Sequence, residues 1–116
     1  MDIELMSMAV KEWARSQPLV RKAYIFGSRV KGTNRPDSDL DVAIELLPLS
    51  GEEDSGVTWH REAQRLKDSI AQIVSVAIDL NWYGGADETP CVHAGLQAGS
   101  RVVYDSDPTD PTFELK

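Results

Sequence analysis

Ala23-Tyr24-Ile25-Phe26-Gly27-Ser28 is followed, after ten intervening residues, by Asp39-Leu40-Asp41-Val42-Ala43-Ile44, and this stretch decides the fold. The apolar segments Val20 to Phe26 and Leu40 to Leu47 read as two strands joined through a turn-rich loop, Gly32-Thr-Asn-Arg-Pro-Asp-Ser38. Residues i and i+2 of a strand share a face, so Asp39 and Asp41 point together while Leu40 and Val42 face a core. Carboxylates held side by side repel unless a cation lies between them. Mg²⁺ suits such a pair, because it takes oxygen ligands, keeps several waters and is shared between carboxylates and substrate phosphates. Gly27 permits close backbone approach, and Ser28 offers an N–H and a hydroxyl where a short helix over 28–31 begins.

A third acid, Asp79, lies in another apolar run, Val76-Ala77-Ile78-Asp79-Leu80, which predicts a strand reaching Trp82. An unpaired charge in the middle of such a run is expensive. Glycine-serine, ten residues, then aspartate-x-aspartate between strands is the pattern of the minimal nucleotidyltransferases of the DNA polymerase β superfamily, and the chain resembles them from about Lys22 to Tyr104. The resemblance implies an α/β fold: a polymerase β-like core with a mixed sheet of about four strands and helices mainly on one face. It implies a catalytic and metal-binding set of Asp39, Asp41 and Asp79 holding two Mg²⁺ ions. Asp39 and Asp41 would bridge the ions, and Asp79 would complete the ion beside the acceptor hydroxyl. Gly27, Ser28 and Arg29 would receive the triphosphate, with ATP as the default donor.

The remaining elements follow from periodicity. Ile3, Met6, Val10, Trp13 and Ala14 recur at helical spacing, predicting a helix over 2–16. Thr58 is expected to cap a helix whose apolar stripe is Trp59, Ala63, Leu66, Ile70 and Ile73. Pro90 to Ala98 starts on proline and ends at Gly99, the usual asymmetry of helix ends. Arg101 to Tyr104 forms a last short strand. Pro48 to Gly56, with Glu52, Glu53 and Asp54, reads as an exposed connection. The domain is expected to occupy 1–104, with 105–116 a mobile acidic tail.

Composition bounds the function. The chain has 116 residues, one domain's worth, with 41% apolar residues and no apolar run near the ~20 needed to span a bilayer. Met1-Asp-Ile-Glu-Leu lacks the pattern of a secretory signal, and the single Cys91, expected as a small buried hydrophobe, fits a reducing cytoplasm. The net charge of −7, from 19 acidic and 12 basic residues, disfavours a nucleic-acid partner, although Arg21, Lys22, Arg29, Lys31 and Arg35 form a local basic patch around the turn.

Related enzymes that modify antibiotics or polymers carry further domains to position the acceptor. Here the acceptor site is expected to come from another protein, from a dimer of the chain, or from the acceptor itself. Nucleotidyltransferases of this size resemble the antitoxins paired with helical HEPN ribonuclease toxins, which attach AMP to a toxin tyrosine. Two other functions stay open at this point: a binding-only antitoxin with a vestigial nucleotide site, and a transferase for a small-molecule hydroxyl such as that of an aminoglycoside.

Overall fold

Asp2 opens the first helix, α1 (Ile3–Arg15): its Oδ1 accepts the Leu5 N–H at 2.9 Å, while Glu4 in the first turn and Arg15 in the last complement the helix dipole. The computed structural model describes residues 2–48 and 55–106. The acidic run Glu52-Glu53-Asp54 and the expected tail beyond Ser106 lie outside them. After α1 come β1 (Val20–Phe26), α2 (Ser28–Lys31), β2 (Leu40–Leu46), α3 (Ser55–Ile70), β3 (Ile78–Trp82), α4 (Pro90–Ala98) and β4 (Ser100–Asp105). Among the described residues no helix is long and apolar enough to cross a membrane.

The strands form one four-stranded sheet in the order β3-β2-β1-β4. β1 runs antiparallel to both β2 and β4, whereas β2 and β3 are parallel and joined by the α3 crossover, so the sheet is mixed. Alternation divides its faces. Leu40, Val42, Ile44 and Leu46 of β2 are buried with Ala23 and Ile25 of β1 and Leu80 of β3. Over them pack Met6, Val10, Trp13 and Ala14 of α1 and Leu66 and Ile70 of α3. The Trp13 indole N–H donates to Ser69 Oγ at 3.0 Å, tying the region after Leu66 on α3 to α1. The opposite face carries Phe26, Asp41, Ala43, Glu45 and Asp79, and α4 packs mainly across its β1 and β4 side.

Three local expectations change. α3 begins at Ser55, so Thr58 lies inside the helix and does not cap it; fully buried, its hydroxyl donates to the Leu47 carbonyl at 2.9 Å and pins α3 to the end of β2. Cys91 is exposed, because α4 is a weakly amphipathic helix with no buried residue. β4 extends through Asp105, whose carboxylate lies 3.8 Å from Lys22 Nζ, one residue further than the apolar run indicates. Thr58→Val, which keeps the volume and removes the donor, is expected to lower unfolding stability by about 1 kcal/mol in urea titration.

Candidate active site

β1 delivers the chain to Gly27, which adopts φ +81° and ψ −160°, a region essentially restricted to glycine. A Cβ added there would stand 1.9 Å from Asp41 Oδ2. The Asp41 carboxylate therefore rests against the bare Cα of Gly27, a contact that any side chain would abolish. The sheet register explains the contact, since Phe26 pairs with Asp41 across β1 and β2. On its other side Asp41 is in register with Asp79 across the parallel β2–β3 pair. Asp41 thus occupies the centre of the constellation, between the glycine turn and the third acid. Asp39 immediately precedes β2.

Asp39 and Asp79 are exposed and Asp41 is half-buried. The cost expected for a buried Asp79 does not arise: β3 is an edge strand, and its alternation turns Asp79 to the face opposite buried Leu80. Burial raises the Asp41 pKa above the ordinary carboxylate value, and the charges of Asp79 and then Asp39 push it further in the same direction. Asp41 therefore occupies an environment that disfavours its own ionisation. Among the described residues none of them makes a hydrogen bond or ion pair with a cationic side chain.

α2 begins at Ser28, whose hydroxyl has no hydrogen-bond partner among the described residues, while the Gly27 carbonyl accepts from the Val30 and Lys31 N–H groups at 3.2 and 3.1 Å. Arg29, expected at the nucleotide, is turned onto the loop instead. Its Nε and Nη2 donate to the Ser38 carbonyl at 3.0 and 2.7 Å, and Nη2 also reaches the Pro36 carbonyl at 3.2 Å.

The sequence profile described as polymerase beta, nucleotidyltransferase matches residues 9–109, which takes in the glycine turn, all three acids and the four strands. The chain belongs to this nucleotidyltransferase family. Among solved structures it is similar to a toxin–antitoxin crystal structure with AMP-PNP, with a TM-score of 0.60 and 20% identity over 94% of this chain and 81% of that one. It is also similar to a mutant toxin–antitoxin MntA–HpeT structure, with a TM-score of 0.59 and 18% identity over 94% and 81% of the two chains. A putative nucleotidyltransferase from Sulfolobus solfataricus matches with a TM-score of 0.46 and 19% identity, over 90% of this chain and 80% of that one. At these identities the likeness is one of fold. No curated protein matches the chain.

The family's chemistry makes the acids of this nucleotidyltransferase candidates for a divalent cation, and their donor set fits one. All are hard oxygen donors, and the repulsion felt by Asp41 is what a cation would relieve. Among the described residues no three His, Cys, Asp or Glu side chains are grouped tightly enough to enclose a metal by themselves. A cation there would have to complete its shell with water and phosphate oxygens.

Beside the acids the nucleotidyltransferase has a polar aromatic wall that composition and motif do not reveal. Tyr24 donates its hydroxyl to Glu45 Oε2, and Arg21 reaches Glu45 Oε1 at 2.9 Å. Tyr83 OH and His93 Nδ1 are 2.7 Å apart, and the Tyr83 ring meets Tyr24 edge-on with centroids at 5.8 Å. Burial, then the Glu45 carboxylate, drives the Tyr24 pKa far above the ordinary tyrosine value, so its hydroxyl stays protonated and serves as a donor. The signal for Tyr24 was present in the alternation of β1, which sends residues 24 and 26 to the face of Asp41. Two concavities of about 220 and 250 Å³ lie elsewhere, between α1 and β4 and beside Asp2, Arg29 and Asn34. Neither is lined by Asp39, Asp41 or Asp79.

Proposed function

We propose that the chain transfers AMP from ATP to a hydroxyl, a tyrosine, of a HEPN-type toxin partner and so acts as its antitoxin. One observation carries the reading: Asp41 is seated against Gly27 and in register with Asp79, with Asp39 two residues away on the same stretch. Two related folds are toxin–antitoxin structures, one of them with an ATP analogue, which supports a toxin partner and a nucleotide substrate. The acidic chain, at −7, also suits a basic partner better than a polynucleotide.

In this reading the acceptor oxygen attacks the α-phosphorus of ATP, the bond to the departing pyrophosphate breaks, and the hydroxyl proton passes to solvent with the Asp79 carboxylate assisting. Gly27 leaves room for the Asp41 carboxylate at the turn, and the Ser28 hydroxyl donates to a phosphate oxygen. Asp39 and Asp41 would hold both Mg²⁺ ions, one of them at the triphosphate, and Asp79 would complete the one at the acceptor. Such ions lower the pKa of the attacking hydroxyl and stabilise charge on the leaving oxygen.

The test combines the chain with the small helical protein encoded beside it, Mg²⁺ and ATP, and weighs both by intact mass spectrometry. A gain of one AMP on the partner is expected, lost with Asp79→Asn while ATP binding stays within about threefold, because Asp79 serves the acceptor end. A tight complex whose partner gains no mass would instead support a binding-only antitoxin.

A further inference from the structure

The loop that delivers Asp39 is exposed almost throughout, and few bonds tie it to the rest of the protein. Within it, the Ser38 N–H donates to the Arg35 carbonyl at 3.0 Å and the Arg35 N–H to Ser38 Oγ at 2.9 Å, which closes a turn on itself. At its start the Thr33 N–H reaches the Ser28 carbonyl at 3.0 Å, and past its end the Leu40 N–H reaches Ala77 O at 2.9 Å. Between these points, among the described residues, Arg29 is the side chain that joins the turn to the scaffold. Two of its nitrogens converge on the Ser38 carbonyl, the peptide unit whose next residue is Asp39, and one also takes the Pro36 carbonyl.

We propose that Arg29 is a positioning residue: its guanidinium sets the Ser38–Asp39 peptide and thereby couples the place of Asp39 to that of the Gly27-Ser28 turn. A planar fork with a fixed charge is suited to two carbonyls at different angles, and a lysine ammonium cannot reproduce it. The catalytic consequence rests on the reading of Asp39 as a cation-holding carboxylate; the structural coupling does not. With Nε and Nη2 committed to the loop, the guanidinium acts on the nucleotide through Asp39.

Arg29→Lys and Arg29→Gln test this on the isolated full chain. Hydrogen exchange at the Thr33, Ser38 and Leu40 amides is expected to quicken about tenfold or more in both variants, the scale of a lost charge-assisted hydrogen bond, with the β1 and β2 interior unchanged. In the transfer assay kcat should fall about 10–100-fold in both, the cost of a misplaced group, while KM for ATP stays within about threefold. Unaltered exchange, or a KM defect in Arg29→Gln that Arg29→Lys restores, would overturn the proposal and make Arg29 a phosphate cation. Should the wild type transfer nothing to its partner, the proposed function fails, and the exchange result still decides the coupling.

Discussion

Asp41→Asn is expected to cut nucleotidyl transfer by about three orders of magnitude and, in the absence of metal, to raise the thermal midpoint of the chain. The first effect is on the scale of about 4 kcal/mol of lost transition-state stabilisation. The second follows from the site's own electrostatics: burial and the charges of Asp79 and Asp39 all disfavour the Asp41 carboxylate. A carboxyl whose folded pKa lies above its unfolded value weakens the folded state once the pH exceeds the folded pKa, and the penalty disappears below the unfolded one. The stabilising effect of asparagine should therefore be largest near neutral pH and fade as the pH falls toward the ordinary value of 3.8. Asp41 is only half-buried, so solvent screening keeps the gain small. Adding Mg²⁺ should raise the midpoint of the wild type and leave that of Asp41→Asn unmoved. Scanning calorimetry of both proteins with and without Mg²⁺, from pH 4 to 7.5, makes the check; equal responses to Mg²⁺ would place cation binding elsewhere.

Gly27→Ala should be nearly as damaging to activity and, unlike the Asp41 change, should destabilise the fold by about 1–3 kcal/mol, the usual cost of a non-glycine residue in this backbone region. Two causes act at once: the positive φ, and a methyl 1.9 Å from Asp41 Oδ2 that displaces the central carboxylate. A double-mutant cycle separates them. Gly27→Ala made in an Asp41→Ala background keeps the backbone strain and loses the collision, so its cost in urea titration should be smaller than in the wild type. Equal costs in the two backgrounds would mean that the carboxylate yields freely and that the glycine serves the backbone alone.

That the Gly27 turn and Asp41 belong to one site was legible before any coordinates, from the spacing of the motif and the period of two in each strand, whereas the seating of the carboxylate against the glycine Cα was not. The third acid was legible as a strand residue but not as an exposed one. Exposure of Asp79 depends on β3 lying at the sheet edge, and strand order arises from pairing between distant segments that no local pattern records. Arg29 shows a different limit. A cation beside a phosphate turn reads as a phosphate ligand from sequence, whereas its partners are carbonyls whose direction depends on the conformation of residues 36–38. Thr58 reads as a cap because threonine preceding an apolar stripe commonly is one, yet the helix starts earlier and the hydroxyl reaches back to Leu47. The Tyr24, Glu45, Tyr83 and His93 wall combines β1, β2, the turn after β3, and α4, and only the folded sheet brings these together.

The parallel pairing of β2 with β3 also has a consequence for the order of folding. β1, the glycine turn and β2 are contiguous in the chain and close antiparallel across a short connection, so Gly27 and Asp41 can meet early. β3 must wait for the α3 crossover, a pairing of greater sequence separation and slower closure. Its docking is the step that carries Asp79 up to a carboxylate already in place. β3 thus joins after β2 and meets electrostatic resistance as it does so, at an edge of the sheet. A divalent cation bound at the acids would offset that resistance and so favour the closed sheet.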